Sequence, residues 1–198
     1  MKIFKENSYD IVRLYVNQLG IMIFSMLLYT AVGSFDNERL SNALGIFVSI
    51  FSICFYLILI YYVVWEIGAK DKIRIEGGRA EPCKHKGLVM GLFANVPNVV
   101  LGLFTLLFLS IYLASGNTAV SSVFFIFNLI TRFHASMYLG IISAVVPTGL
   151  SAGAVDYIEL LVETILFVVI PLISVAVTHL AYHLGSKEKK LFSFLTNK

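Results

Sequence analysis

The chain is 198 residues long, 58% apolar and 14% charged, with a formal net charge of +3. Its charges are gathered into clusters between long uncharged runs, and the longest polar stretch, about twenty residues, is too short to build an independent core. This excludes a substantial soluble domain and points to an integral membrane protein, because uncharged runs of about 18 residues or more partition into hydrocarbon. A nucleic-acid partner is not expected.

The first apolar run is Ile11 to Gly33, broken only by Arg13, Asn17 and Gln18. A cleavable signal peptide competes with a retained span here, since Lys2, Lys5 and Arg13 precede the run and Ala31, Val32 and Gly33 form an acceptable cleavage pattern. The long leader with Glu6 and Asp10 favours the retained span. Ala43 to Trp65 and Gly87 to Ala114 are the second and third spans, and Tyr157 to Leu184 is the fourth. Each is long enough, at about 1.5 Å per residue, to cross roughly 30 Å of hydrocarbon.

Between the third and fourth spans, Thr118 to Pro147 is apolar but interrupted near its middle by Thr131, Arg132 and His134. It divides into two pieces of the length expected for a re-entrant or interfacial hairpin. The Lys and Arg pattern decides how to thread it, because short basic loops stay cytoplasmic. With four spans, thirteen of the fifteen basic residues share one side: Lys2, Lys5 and Arg13, the six between Lys70 and Lys86, and Lys187, Lys189, Lys190 and Lys198. Five spans would put the tail lysines outside, and six would need two very short helices to cross. The expected fold is an all-α polytopic membrane bundle of four spans plus the broken element, with five spans as the alternative. It forms a single transmembrane domain in the cell membrane with both termini cytoplasmic.

Within the spans, Pro97 and Pro171 each remove a backbone donor and favour kinks. Trp65, after Tyr61 and Tyr62, marks a cytoplasmic boundary. Gly87, Gly91 and Asn95 recur at four-residue spacing, a stripe that permits close helix approach. Asn128, and Asn17 with Gln18, read as interhelical hydrogen-bonding groups.

Several constellations could carry chemistry. Arg132 and His134 lie among apolar residues, where an ionisable group costs roughly 2.5–3.5 kcal/mol on insertion scales unless paired or wet. Asp156, Glu159 and Glu163 share one flank of the following helix and are the nearest carboxylates; the pairing expected is Arg132 with Glu163. The competing reading is a turn at the headgroups followed by the solvated start of a helix. Asn95 and Asn98 flank Pro97, where an opened helical ladder can bind an ion or a polar group. An ordinary kink is the simpler account. Gly149-x-Ser151-x-Gly153 matches a nucleophile elbow without the strand that the elbow requires. Cys83, His85, His179 and His183 could converge on zinc but lack a compact ligand spacing. Cys54 and Cys83 give no disulfide framework.

The basic segment between residues 66 and 86 also holds Asp71, Glu76 and Glu81, so over Lys70 to Lys86 the net charge is +3. Attraction to anionic lipid headgroups is its simplest role, and docking of a cytoplasmic partner the sharper one. Ile73 and Ile75 alternate with charged neighbours before Gly77 and Gly78, which suggests a short extended or turn element. The chain carries no H-E-x-x-H, no Walker-type loop and no paired C-x-x-C. An intramembrane enzyme is therefore a third class with the least support, and no cofactor or metal is expected. Two functions remain. One is a small transport or permeation component, with Asn95, Asn98, Arg132, His134 and Glu163 as an outer-leaflet polar lining. The other is a membrane scaffold or accessory subunit, homo-oligomeric or recruiting a partner through the basic loop and tail.

Overall fold

A computed structural model of the chain describes residues 2–146 and 157–189. All its regular elements there are helical: α1 (Lys2–Gly33), α2 (Glu38–Glu76), α3 (Lys86–Ser115), α4 (Thr118–His134), a 3-10 turn at Ser136–Tyr138, α5 (Leu139–Val145), α6 (Tyr157–Val169) and α7 (Leu172–Gly185). The fold is the expected all-α membrane bundle, with four to five helices long and apolar enough to span a bilayer. The fifth is the broken segment, in which Thr118–His134 and Ser136–Val145 meet at a 72° bend.

Burial runs opposite to that of a water-soluble protein. Phe47, at 65% exposed, and Leu129, at 68%, face outward, while Ser25, Ser49, Ser52 and Thr105 are wholly buried. In water such an apolar exterior would drive association; in lipid it is the solvated surface, and polar groups move inside to find partners.

Local chemistry sets the helix ends. Asn37 Oδ1 accepts from Leu40 N–H at the start of α2, and Asn117 Oδ1 from Ala119 N–H at the start of α4. Gly116, at φ 62°, ends α3. At the end of α2, Arg79 N–H reaches Arg74 O and Gly78 N–H reaches Ile75 O, with Gly78 at φ 67°. That is a Schellman cap, and glycine adopts its left-handed position without steric cost.

Helix α2 therefore continues eleven residues past Trp65 to Glu76, so the expected loop is helical over its first half. The extended element expected at Ile73 and Ile75 is helix instead. The physical reason is visible in the charges: Glu66 pairs with Lys70 at 2.7 Å and Lys72 with Glu76 at 3.6 Å, both at the i, i+4 spacing that supports a helix. The last span is interrupted at Ile170 and Pro171, as expected of a missing donor, whereas α3 runs unbroken through Pro97. Helix α4 carries Thr131, Arg132 and His134 in its last turn, and the break falls one residue later, at Ala135.

The chain forms two compact units. Unit 1 comprises residues 1–17, 56–95 and 172–198. Its seam is antiparallel and built of small residues: Gly87 faces Tyr182, Gly91 faces Thr178, and Asn95 Nδ2 donates to Ser174 Oγ at 2.9 Å. Across the same helix α7, Gly68 lies against the Tyr182 carbonyl and Gly185 against that of Trp65. Such contacts require the absence of Cβ and are how apolar helices gain packing energy in lipid. Gly87→Ala would place a carbon 2.5 Å from Tyr182 Cβ. The expected loss is about 1–3 kcal/mol, the usual cost of overpacking, measured as unfolding in SDS-containing mixed micelles. Gly91→Ala, meeting Thr178 Cβ at 3.1 Å, should cost less.

Unit 2 comprises residues 18–55 and 96–171. Helices α1 and α2 pack through Tyr29 on Gly45 and through the rings of Phe24 and Phe51, 6.5 Å apart. The turn after α4 leans on this pair: Ser136 Oγ donates to Met22 O at 2.7 Å, Gly140 N–H donates to Ser49 Oγ at 2.8 Å, and Gly140 sits against the Gly45 carbonyl.

Candidate functional site

The face of α4 that turns inward carries Phe124, Asn128 and Thr131, spaced four and three residues apart as one helical stripe requires. Thr131 meets Thr105 of α3, their hydroxyl oxygens 2.7 Å apart. Thr105 also donates to Leu101 O at 2.9 Å, and a hydroxyl has one proton. Thr131 is thus the donor in the pair. Phe127 stacks on Phe104 and Phe108 on the α3 side, while Gly102 of α3 lies against Val168 of α6.

In that three-helix packing, Arg132 Nη2 donates to Glu163 Oε2 at 2.7 Å. The Glu163 side chain is 4% exposed and that of Arg132 33%. The pair joins α4 to α6 inside unit 2, and it is the pairing expected from sequence. An ion pair in apolar surroundings satisfies both charges only while both are present. It also leaves a defined chemistry available: an anion can compete for the guanidinium, and a cation or proton for the carboxylate.

His134 is half-buried, with Nδ1 3.1 Å from Ile130 O at the end of α4. Asn98 is buried in unit 2. Asn95 belongs to unit 1, and its amide donates to Gly91 O and Ser174 Oγ, both at 2.9 Å. Those two hydrogen bonds use its amide in helix packing. Gln18 departs from expectation: among the described residues its Oε1 and Nε2 are buried without a hydrogen-bond partner, as is Oδ1 of Asn128. They do not tie helices together through those atoms.

Sequence reasoning missed a second buried carboxylate. Asp71, counted only as one charge of the basic segment, has a side chain 8% exposed. Lys86 Nζ lies 2.5 Å from its Oδ2, and Tyr182 O–H donates to the same atom at 3.0 Å. Asp71 thereby ties α2 to the start of α3 and to α7, all within unit 1. The recoverable signal was the charge spacing that continues α2 through Lys70 and Lys72, since helical geometry places Asp71 three residues after Gly68 on the packed side.

The same ion pairs alter the basic surface. Lys70 is held by Glu66, Lys72 by Glu188 at 2.9 Å and by Glu76, Arg74 lies 3.8 Å from Asp71, and Lys86 is bound to Asp71. Only Arg79 and Lys84 of the six basic residues in Lys70 to Lys86 stand outside these pairs. Trp65, placed at a boundary by its amphipathic ring, donates its indole N–H to Lys189 O at 2.8 Å.

The chain matches no family model, no curated protein and no solved structure. Its chemistry rests on its own residues. Among the described residues, no group of three His, Cys, Asp or Glu side chains is placed to hold a metal, and Cys54 and Cys83 are free thiols. Gly149-x-Ser151-x-Gly153, Asp156 and the tail residues Lys190 and Lys198 lie outside the described residues.

Proposed function

We propose that the protein is a small transport or permeation component of the cell membrane, working through the Arg132–Glu163 pair. The supporting observation is the pair itself: a carboxylate 4% exposed and a guanidinium held 2.7 Å apart on helices apolar enough to span a bilayer. Intramembrane ionisable residues are costly and cluster on substrate, ion and proton paths. The distribution of Lys and Arg supports both termini in the cytoplasm and the pair towards the outer leaflet.

A scaffold that recruits partners or anionic lipid through its basic segment draws less support, because four of that segment's six cations are engaged by the protein's own carboxylates. Purified protein reconstituted on a solid-supported membrane tests the reading, with currents recorded on concentration jumps of Na+, K+, H+ and Cl−. Wild-type protein should give a current with at least one of them, and Arg132→Met/Glu163→Leu, folded and inserted, should not. Equal traces from wild type, the double variant and empty liposomes would make the pair a structural staple.

A further inference from the structure

Hydroxyl groups inside these helices mostly satisfy themselves on the carbonyl four residues earlier. Ser110, Ser115, Ser143 and Thr164 do so at 2.8 Å, and Thr178 at 2.7 Å. Ser25 and Ser52 do not. Each is wholly buried, and each hydroxyl lacks a hydrogen-bond partner among the described residues, as do both ends of the Gln18 amide, which is 1% exposed. An amide and two hydroxyls buried dry would each keep an uncompensated desolvation cost, a heavy load for a marginally stable fold.

The register of α1 and α2 puts these three residues at neighbouring levels. The contacts of Tyr29 with Gly45 and of Phe24 with Phe51 fix the antiparallel register of α1 and α2 and bring Ser52 level with Met22. Met22 follows Gln18 by four residues and precedes Ser25 by three, so all three lie on one face of α1. Along the axis, Ser52 stands about 6 Å from Gln18 and about 4.5 Å from Ser25 at 1.5 Å per residue. Axial offsets of that size keep the three polar groups within reach of a small group of shared waters, each making hydrogen bonds of about 2.8 Å. The trio carries no charge and offers both donors and acceptors, which suits water and disfavours a bare ion. The Ser136 hydroxyl reaches the same turn of α1, donating to Met22 O at 2.7 Å.

We infer that Gln18, Ser25 and Ser52 form a buried water site between α1 and α2 of unit 2. It lies on the turn of α1 that Ser136 meets through Met22 O, and it stands independently of the role proposed for the Arg132–Glu163 pair. Water held at such sites supplies the partners that polar groups lack.

Pulsed X-ray hydroxyl-radical footprinting in lipid nanodiscs tests the site, because radicals form at bound water and oxidise the nearest sulfur. Met22 and Met90 are equally shielded, both at 0% exposure. Met22 should be oxidised several-fold faster than Met90, with 18O incorporated from labelled water, and Gln18→Leu should reduce its rate towards that of Met90. Met22 as protected as Met90 in the wild-type protein would show a dry site and overturn the inference. That comparison needs no variant to fold. Ser25→Ala/Ser52→Ala gives a second readout: slower Met22 labelling supports the site, and unchanged labelling contradicts it.

Discussion

Glu163→Leu will lower the unfolding free energy by about 3 kcal/mol, the lower end of the range for breaking a buried ion pair from one side. The lower end applies because Arg132, at 33% exposed, can turn towards a wetter environment once its partner is lost. Arg132→Met in the same background should restore most of that loss, since two apolar side chains of similar volume leave neither charge stranded. The comparison is made in SDS-containing mixed micelles, where single and double variants unfold side by side. A double variant no more stable than Glu163→Leu would mean that the carboxylate's worth lies elsewhere than in Arg132. Stability and flux separate here: the double variant should fold and still give no current.

The second large effect is expected at the opposite kind of site. Asp71→Asn will cost about 3–5 kcal/mol, because it leaves Lys86 facing a neutral amide where its charge is poorly solvated. The Lys86 side chain is 12% exposed, so it has less access to water than Arg132 does. Tyr182 can still donate to the asparagine carbonyl, which makes the lost charge, not the lost hydrogen bond, the main term. Hydrogen exchange should locate the damage. Amides of residues 86–95 and 172–185, which share unit 1 with Asp71, should exchange faster while those of α4 do not change. Faster exchange in α4 and an unaffected seam would contradict the assignment of Asp71 as the tie of unit 1.

The two sites differ in how far they could be read in advance. Arg132 and Glu163 were legible because an ionisable residue within an apolar run has few candidate partners, and the next helix supplied carboxylates on one flank. Asp71 was hidden by its neighbours: among Lys70, Lys72 and Arg74 it looks like one charge in a solvated segment. Only the continuation of α2 to Glu76 turns it towards Lys86 and Tyr182. Gln18 was misread for a related reason. An amide in a span usually bonds across to another helix, and its type alone does not show that both ends of this one are buried with no hydrogen-bond partner among the described residues.

The sequence by itself determined the all-α membrane fold, the four apolar runs, the interruption of the last at Pro171 and the presence of a break between Thr118 and Pro147. Each follows from the transfer free energy of a continuous segment or from a missing backbone donor, properties that depend on no distant residue. Only the tertiary structure decided which small residues meet. Gly87, Gly91 and Asn95 are a stripe in the sequence, and a seam only because α7 offers Tyr182, Thr178 and Ser174 in antiparallel register. It alone decided, too, that four cations of the basic segment lie within 4 Å of the protein's own carboxylates and that the Gln18, Ser25 and Ser52 side chains are buried. Register between helices distant in sequence is set by the sum of many small packing contacts, and a change of one turn would give every polar group a different neighbour.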